Sequence, residues 1–312
     1  MPPPPFDPEL APIVEQLRAA RPPLSTPDDI TARREFVAGA EQTVDELAAA
    51  HPGFEFAEEH TGEVPLLVAR PPESRGVLYY IHGGGLIVGS HLGPDVPNVL
   101  RWAGELGVTI VSPGYRLAPE HPYPAPVEDC YAGLSWTAGR LAGPIVIGGV
   151  SAGGGLAAAT TLLARDRGGP ELAGQLLICP MLDDRDNTPS ALDLDGRGLW
   201  DRTANNVGWA AYLGDLRDVP PYAAPARATD LSGLPPAFLD VGTAETFRDE
   251  VVGYASRLWQ AGGEAELHVW PGGFHGFESL APDTALSRAA RAARLSWLRG
   301  LLSRRPAAPA AR

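Results

Sequence analysis

The chain has 312 residues, 44% of them apolar, and its 38 acidic and 25 basic side chains leave a net charge of −13. That is apolar material for a sizeable core, and the negative field argues against polyanionic partners such as nucleic acid or acidic membrane surfaces. The opening MPPPPFDPEL has no basic or apolar stretch, so it does not read as a secretory signal; no window reaches the roughly 18–20 apolar residues of a membrane span, and a cytoplasmic protein is expected.

After the proline leader, the spacing of Leu10, Ile13, Val14 and Leu17, then of Phe36, Val37, Val44 and Leu47, predicts helical segments within 8–20 and 27–50. STPDD supplies an N-cap, a proline and acids for the second. Beyond His51 the pattern changes to short strand-like runs: FEFAEEHT, VPLLVAR, GVLYYIHGG, GVTIVSPGY, GPIVIGG, GQLLICP, PPAFLDVG and AELHVWPGG. Several are continuously apolar, as strands buried on both faces are. Helical patterns fall between them, at 95–106, 126–140, 152–166, 247–262 and 283–303. The alternation predicts an α/β protein with a mostly parallel sheet flanked by helices.

One stretch, 183–234, interrupts the alternation and carries a helix-like LWDRTANNVGWAAYLG with Trp200 and Trp209. The division expected is cap helices at 1–50, a core at 51–182 and 235–303, a cap insertion at 183–234, and a frayed tail at 304–312. The basic residues are all arginine, which reads as compositional habit. Cys130 and Cys179 have no CxxC or Cys/His neighbour and read as buried free thiols.

The chemistry concentrates in four places. VIGGVSAGGGLAAA places Ser151 between a strand-like run and a small-residue helix, with Gly149 and Gly153 two positions to either side. A strand that turns abruptly into a helix lifts the middle side chain clear and leaves no room for a Cβ two residues away, the geometry of a nucleophile elbow. GxSxG alone also arises as ordinary turn chemistry. In YIHGGGLIVGSH, Gly83, Gly84 and Gly85 end a strand and can aim N–H groups at a substrate oxygen, forming an oxyanion hole with Ala152. A phosphate nest is disfavoured because no Lys or Ser/Thr follows at the required spacing. His82 reads as a hydrogen-bonder shaping that loop.

Of histidines 51, 60, 82, 91, 121, 268 and 275, only His275 (in WPGGFHGFE) sits in a glycine-rich loop after a late strand. His268 lies inside the strand pattern, and none of the others has metal-ligand spacing. In FLDVGTAETFRDE, Glu245 follows the strand, with Asp249 as the fallback acid and Asp240 poorly placed within the strand. Ser151, Glu245 and His275 fall in the chain order of α/β-hydrolases.

HGGG, YRLAPEHPYPAPVED (Tyr115–Asp129), GVSAGG, the Glu245 loop and FHGF together resemble the hormone-sensitive-lipase-like family of α/β-hydrolases, bacterial carboxylesterase branch, over about residues 55–303. The resemblance implies an α/β-hydrolase fold with a helical cap, Ser151 as nucleophile and His275 as base. It also implies an oxyanion hole at Gly84 and Gly85 with Ala152, small ester substrates, and dimers through an edge strand. It implies no cofactor and no metal. Two departures are visible: Val150 replaces the aspartate common before the serine, and Glu245 stands where aspartate is common. Arg116 is expected to pair with a nearby acid and brace the site loops.

The expected reaction is hydrolysis of a carboxylic ester, short-chain by the resemblance, through an acyl-enzyme. A neutral base requires an acid limb in the rate profile near the histidine range, about pH 6–7. An amidase or deacetylase on the same residues is the alternative reading. A non-catalytic ligand-binding member of the fold is less favoured, because all three residues are kept.

Overall fold

The computed structural model describes residues 3–303, so the tail expected at 304–312 lies outside the described residues. The strands are β1 (Glu55–Thr61), β2 (Val64–Arg70), β3 (Val77–Ile81), β4 (Thr109–Pro113), β5 (Ile145–Val150), β6 (Gly174–Ile178), β7 (Ala237–Gly242) and β8 (Ala265–Trp270). They form one sheet in the order β1-β2-β4-β3-β5-β6-β7-β8, in which only β2 runs antiparallel to its neighbours. The continuously apolar runs are the strands buried on both faces, β3, β4, β6 and β7 among them. The edge strand β8 has only half-buried and exposed positions instead.

The helices are α1 (Ala11–Ala20), α2 (Ile30–Ala38), α3 (Val44–Ala50), α4 (Val96–Leu106), α5 (Ala125–Arg140), α6 (Ala152–Arg167), α7 (Pro189–Asp193), α8 (Arg202–Leu213), α9 (Arg248–Gln260), α10 (Phe277–Leu280) and α11 (Ala285–Ser303). The helical region read over 27–50 is broken into a 3-10 turn, α2 and α3. Thr26 with Asp29 and Thr43 with Glu46 each make a capping box, so two separate starts are written into that stretch. The one-turn helices α7 and α10 are too short to show a period in sequence. Helix α6 is buried on all sides from Ala152 to Ala164, which its Gly and Ala residues permit by letting sheet and neighbouring helix approach closely.

Because β3, β5, β7 and β8 are parallel, the loops leaving their carboxyl ends gather at one edge of the sheet, where α/β proteins place their ligands. The main core surrounds the sheet. A second, smaller core joins Leu10 and Val14 of the N-terminal arm to Leu199, Phe274 and Phe277. There the Asp7 amide donates to the Gly272 carbonyl at 3.0 Å, and Phe6 meets Phe274 edge to face. Among the described residues no helix is long and apolar enough to cross a membrane.

Candidate active site

Ser151 is the single residue between β5 and α6, with φ 58° and ψ −123°. Non-glycine residues avoid this backbone, and here the surroundings enforce it. A Cβ on Gly153 would lie 2.1 Å from the Ile81 carbonyl oxygen, and one on Gly149 would lie 2.4 Å from the Gly153 carbonyl. The elbow is then fixed by main-chain bonds: Ser151 N–H donates to Ile178 at 2.8 Å, and the Ser151 carbonyl accepts from Met181 at 2.9 Å.

Ser151 Oγ lies 2.9 Å from His275 Nε2, and His275 Nδ1 lies 3.3 Å from Glu245 Oε1. The structure thus brings together the three residues that lie 124 and 30 positions apart along the chain. Glu245 is only 3% exposed, and its other oxygen accepts from the Gly242 amide at 3.3 Å. Phe247 meets the His275 ring edge-on at 5.2 Å. With Nδ1–H directed at the carboxylate, Nε2 is free to accept the serine proton. The fallback Asp249 faces elsewhere, accepting from the Ser190 amide and from Arg248. Asp240 is bound by Trp270 and Arg294.

Cys179, buried and at φ 35°, is the neighbour that sequence reading did not place here. Its sulfur lies with the Glu245 and His275 donor atoms inside a 4.8 Å set, which could in principle enclose a cation. Two of those donors are engaged with each other, however. Burial, together with Glu245, Glu278 and Asp240, drives the thiol far above its ordinary pKa.

The His82–Gly85 loop leaves β3 beside this group; a Cβ built on Gly83 would come 3.4 Å from Ser151 Cβ. Burial pushes the His82 imidazole down to about 4, so the ring is neutral and its Nδ1–H donates to the Gly83 carbonyl at 2.7 Å. The ring stacks on Tyr115 at 4.2 Å, and the Tyr115 hydroxyl donates to the His82 carbonyl at 3.1 Å. Val150, in place of the aspartate common there, lies close to the glycine loop: its Cγ1 would be 3.2 Å from a Cβ built on Gly83.

Gly85, at φ 60°, faces the Trp200 indole so closely that a Cβ would sit 2.1 Å from the ring. Trp200 is fixed by Asn205, which accepts from its Nε1 at 3.1 Å, and by Thr246, which donates to its carbonyl at 2.8 Å. Trp209 is buried instead against Tyr212, with ring centroids 6.1 Å apart. From α2, Arg34 donates to the Ile87 and Ala118 carbonyls at 2.7 and 2.8 Å and pairs with Glu120. Arg116 pairs with Asp129 at 2.7 Å. Arg34 and Trp200 carry no motif: Trp200 was marked in sequence only as an aromatic residue of the 183–234 stretch, and Arg34 not at all.

The alpha/beta hydrolase fold family matches residues 78–279. Carboxylesterase NlhH of Mycobacterium tuberculosis is 38% identical over 235 residues, spanning 70% of this chain and 72% of the relative. The carboxylic ester hydrolase LipN of the same organism is 34% identical over 305 residues, 90% of this chain and 79% of the relative. A bacterial heroin esterase superposes with a TM-score of 0.85 at 37% identity, covering 96% of this chain and 98% of that one. With the sheet order, the elbow and the glycine loop, these likenesses place the chain in the hormone-sensitive-lipase-like family of α/β-hydrolases, and it is a hydrolase.

Proposed function

We propose that the chain is a serine carboxylesterase acting on short-chain esters, with Ser151 as nucleophile, His275 as general base and Glu245 as its partner. The carrying observation is the continuous hydrogen-bond line from Ser151 Oγ through both His275 nitrogens to a buried Glu245. Ser151 attacks the ester carbonyl while Nε2 takes its proton; the imidazolium then protonates the departing alcohol, and water repeats the steps on the acyl-enzyme. The N–H groups of Gly83, Gly84, Gly85 and Ala152, the last at the amino end of α6, surround the developing oxyanion. The segments 1–50 and 183–234 act as a cap, a role supported by their shared core and by Arg18 donating to the Gly196 carbonyl at 2.6 Å. Trp200 against Gly85 walls one side of the acyl site and supports short chains.

A fluorophosphonate should label Ser151 in the folded protein, and Ser151→Ala should lose labelling and about a millionfold in kcat on p-nitrophenyl acetate. Retained hydrolysis in Ser151→Ala overturns the reading.

A further inference from the structure

We propose that Arg294 is a positioning residue for His275 and Glu245, locking the strand that leads into Glu245 to the helical turn that follows His275. The inference rests on the esterase reading above. Arg294 sits on α11, remote in sequence from every motif, yet its side chain is 1% exposed. Its Nε and Nη2 donate to Asp240 Oδ2 at 2.8 and 2.7 Å, and its Nη1 lies 2.9 Å from Glu278 Oε1. Asp240 belongs to β7, five residues before Glu245, and Glu278 belongs to α10, three residues after His275. One guanidinium therefore spans the two segments that must present base and acid to each other.

The same residues border the acid directly. Cys179, Gly242, Glu245, Glu278 and Arg294 line one interior seam with no room for a water molecule. No solvent can relax a mismatch there, so a displacement of Glu278 or Asp240 is carried to the neighbouring loops. Upstream of His275 the loops are joined by main chain: Thr243 N–H donates to Trp270 at 2.8 Å and Ala244 N–H to Gly273 at 3.1 Å. Downstream, the tie from α10 back to β7 is the Arg294 bridge. The contact this arrangement sets is the longest in the Ser–His–Glu line, the 3.3 Å His275–Glu245 link.

Stability is a poor explanation for the cluster. A buried ion network gains little over apolar packing of the same volume, because desolvation offsets the attraction. What it imposes is positional: Nε and Nη2 converge on one oxygen of Asp240, and Nη1 holds Glu278 by charge at 2.9 Å, so one rigid planar group sets the spacing of the two acids. A hydrolytic site loses about 100-fold from a displacement near 1 Å, which makes such a fixture consequential.

The test is to remove all the charge together. In Arg294→Met/Asp240→Asn/Glu278→Met no buried ion is left unpaired and the amide oxygen introduced at 240 can still accept from Trp270, so the fold and melting temperature should stay near wild type. If Arg294 positions the site, kcat on p-nitrophenyl acetate falls at least about tenfold while KM stays within about twofold. If the cluster is structural only, kcat returns to within about twofold of wild type, and the proposal is overturned. Glu278→Met, which keeps the Arg294–Asp240 pair, guards against misfolding of the triple variant. It should lower kcat about three- to tenfold at unchanged KM, and an unchanged kcat overturns the proposal. Wild-type labelling by fluorophosphonate separates the two layers. Without it the esterase reading fails; with it, and with full activity in both variants, only the role of Arg294 fails.

Discussion

On the nucleophile side, main chain is placed against main chain. Gly149 and Gly153 stack beneath Ser151, Gly153 lies on the end of β3, and the whole of α6 is enclosed. Around Glu245 and His275 the longer loops share two main-chain bonds, and the rest of their geometry depends on side chains: Phe247 on the imidazole, Thr243 and Thr246 across the loops, Arg294 beneath. The first half is rigid because there is no room to move. The second is held by a few directional contacts, and adjusting any one of them should tune the site without dismantling it.

The largest expected effect that probes this contrast is Glu245→Gln. The amide fits the same space but no longer fixes the imidazole tautomer, so kcat should fall about 1,000- to 10,000-fold while circular dichroism is unchanged. Gly153→Ala tests the other half with one methyl group. The added carbon has main chain 2.1 Å away, so kcat should fall at least about 100-fold, accompanied by a lower melting temperature. Full activity in Gly153→Ala would break the contrast.

Trp200 touches both halves, Gly85 by its ring and Thr246 through its carbonyl. In Trp200→Ala the hexanoate-to-acetate rate ratio should rise about tenfold, measured on matched p-nitrophenyl esters.

The smallest effect concerns stability. His82 is depressed from 6.5 to about 4, so its contribution is fully present above pH 6.5 and is lost as pH falls toward 4. At about 1.4 kcal/mol per pH unit, the wild-type advantage over His82→Gln should shrink by about 3 kcal/mol between pH 7 and 4, read from urea unfolding at each pH. Asp95 and Asp240, both lifted to about 6 by burial, act in the opposite sense in either protein and cancel in the comparison.

The contrast also explains what could be read from the residues alone. Steric necessity around Ser151 acts on adjacent positions and admits only small residues, so GVSAGG and HGGG stand out in the chain. The inner strands were legible because burial on both faces demands nearly unbroken apolar runs, whereas the edge strands β1 and β8 mix apolar and polar residues. Glu245 and His275, which the structure brings beside Ser151, were singled out only through their order after late strands, a weaker signal. Arg294 was hidden: RAARAARLSW reads as a solvated helical face, and its partners lie 54 and 16 residues away. The one trace was Asp240, an acid inside an otherwise apolar strand, which marks a buried charge in need of a partner. Cys179 and Trp200 reach the site through loop conformation, which no periodicity encodes.

The arm of residues 3–20 adds no strand to the sheet, yet it lies on the loop that ends in His275, through Asp7 on Gly272 and Leu10 and Val14 around Phe274. Its removal by a protease at the open stretch after α1 would strip one wall from that loop while leaving the eight-stranded sheet intact. The same cut would also empty the second core, so turnover and melting temperature should fall together, the loss of turnover being the larger.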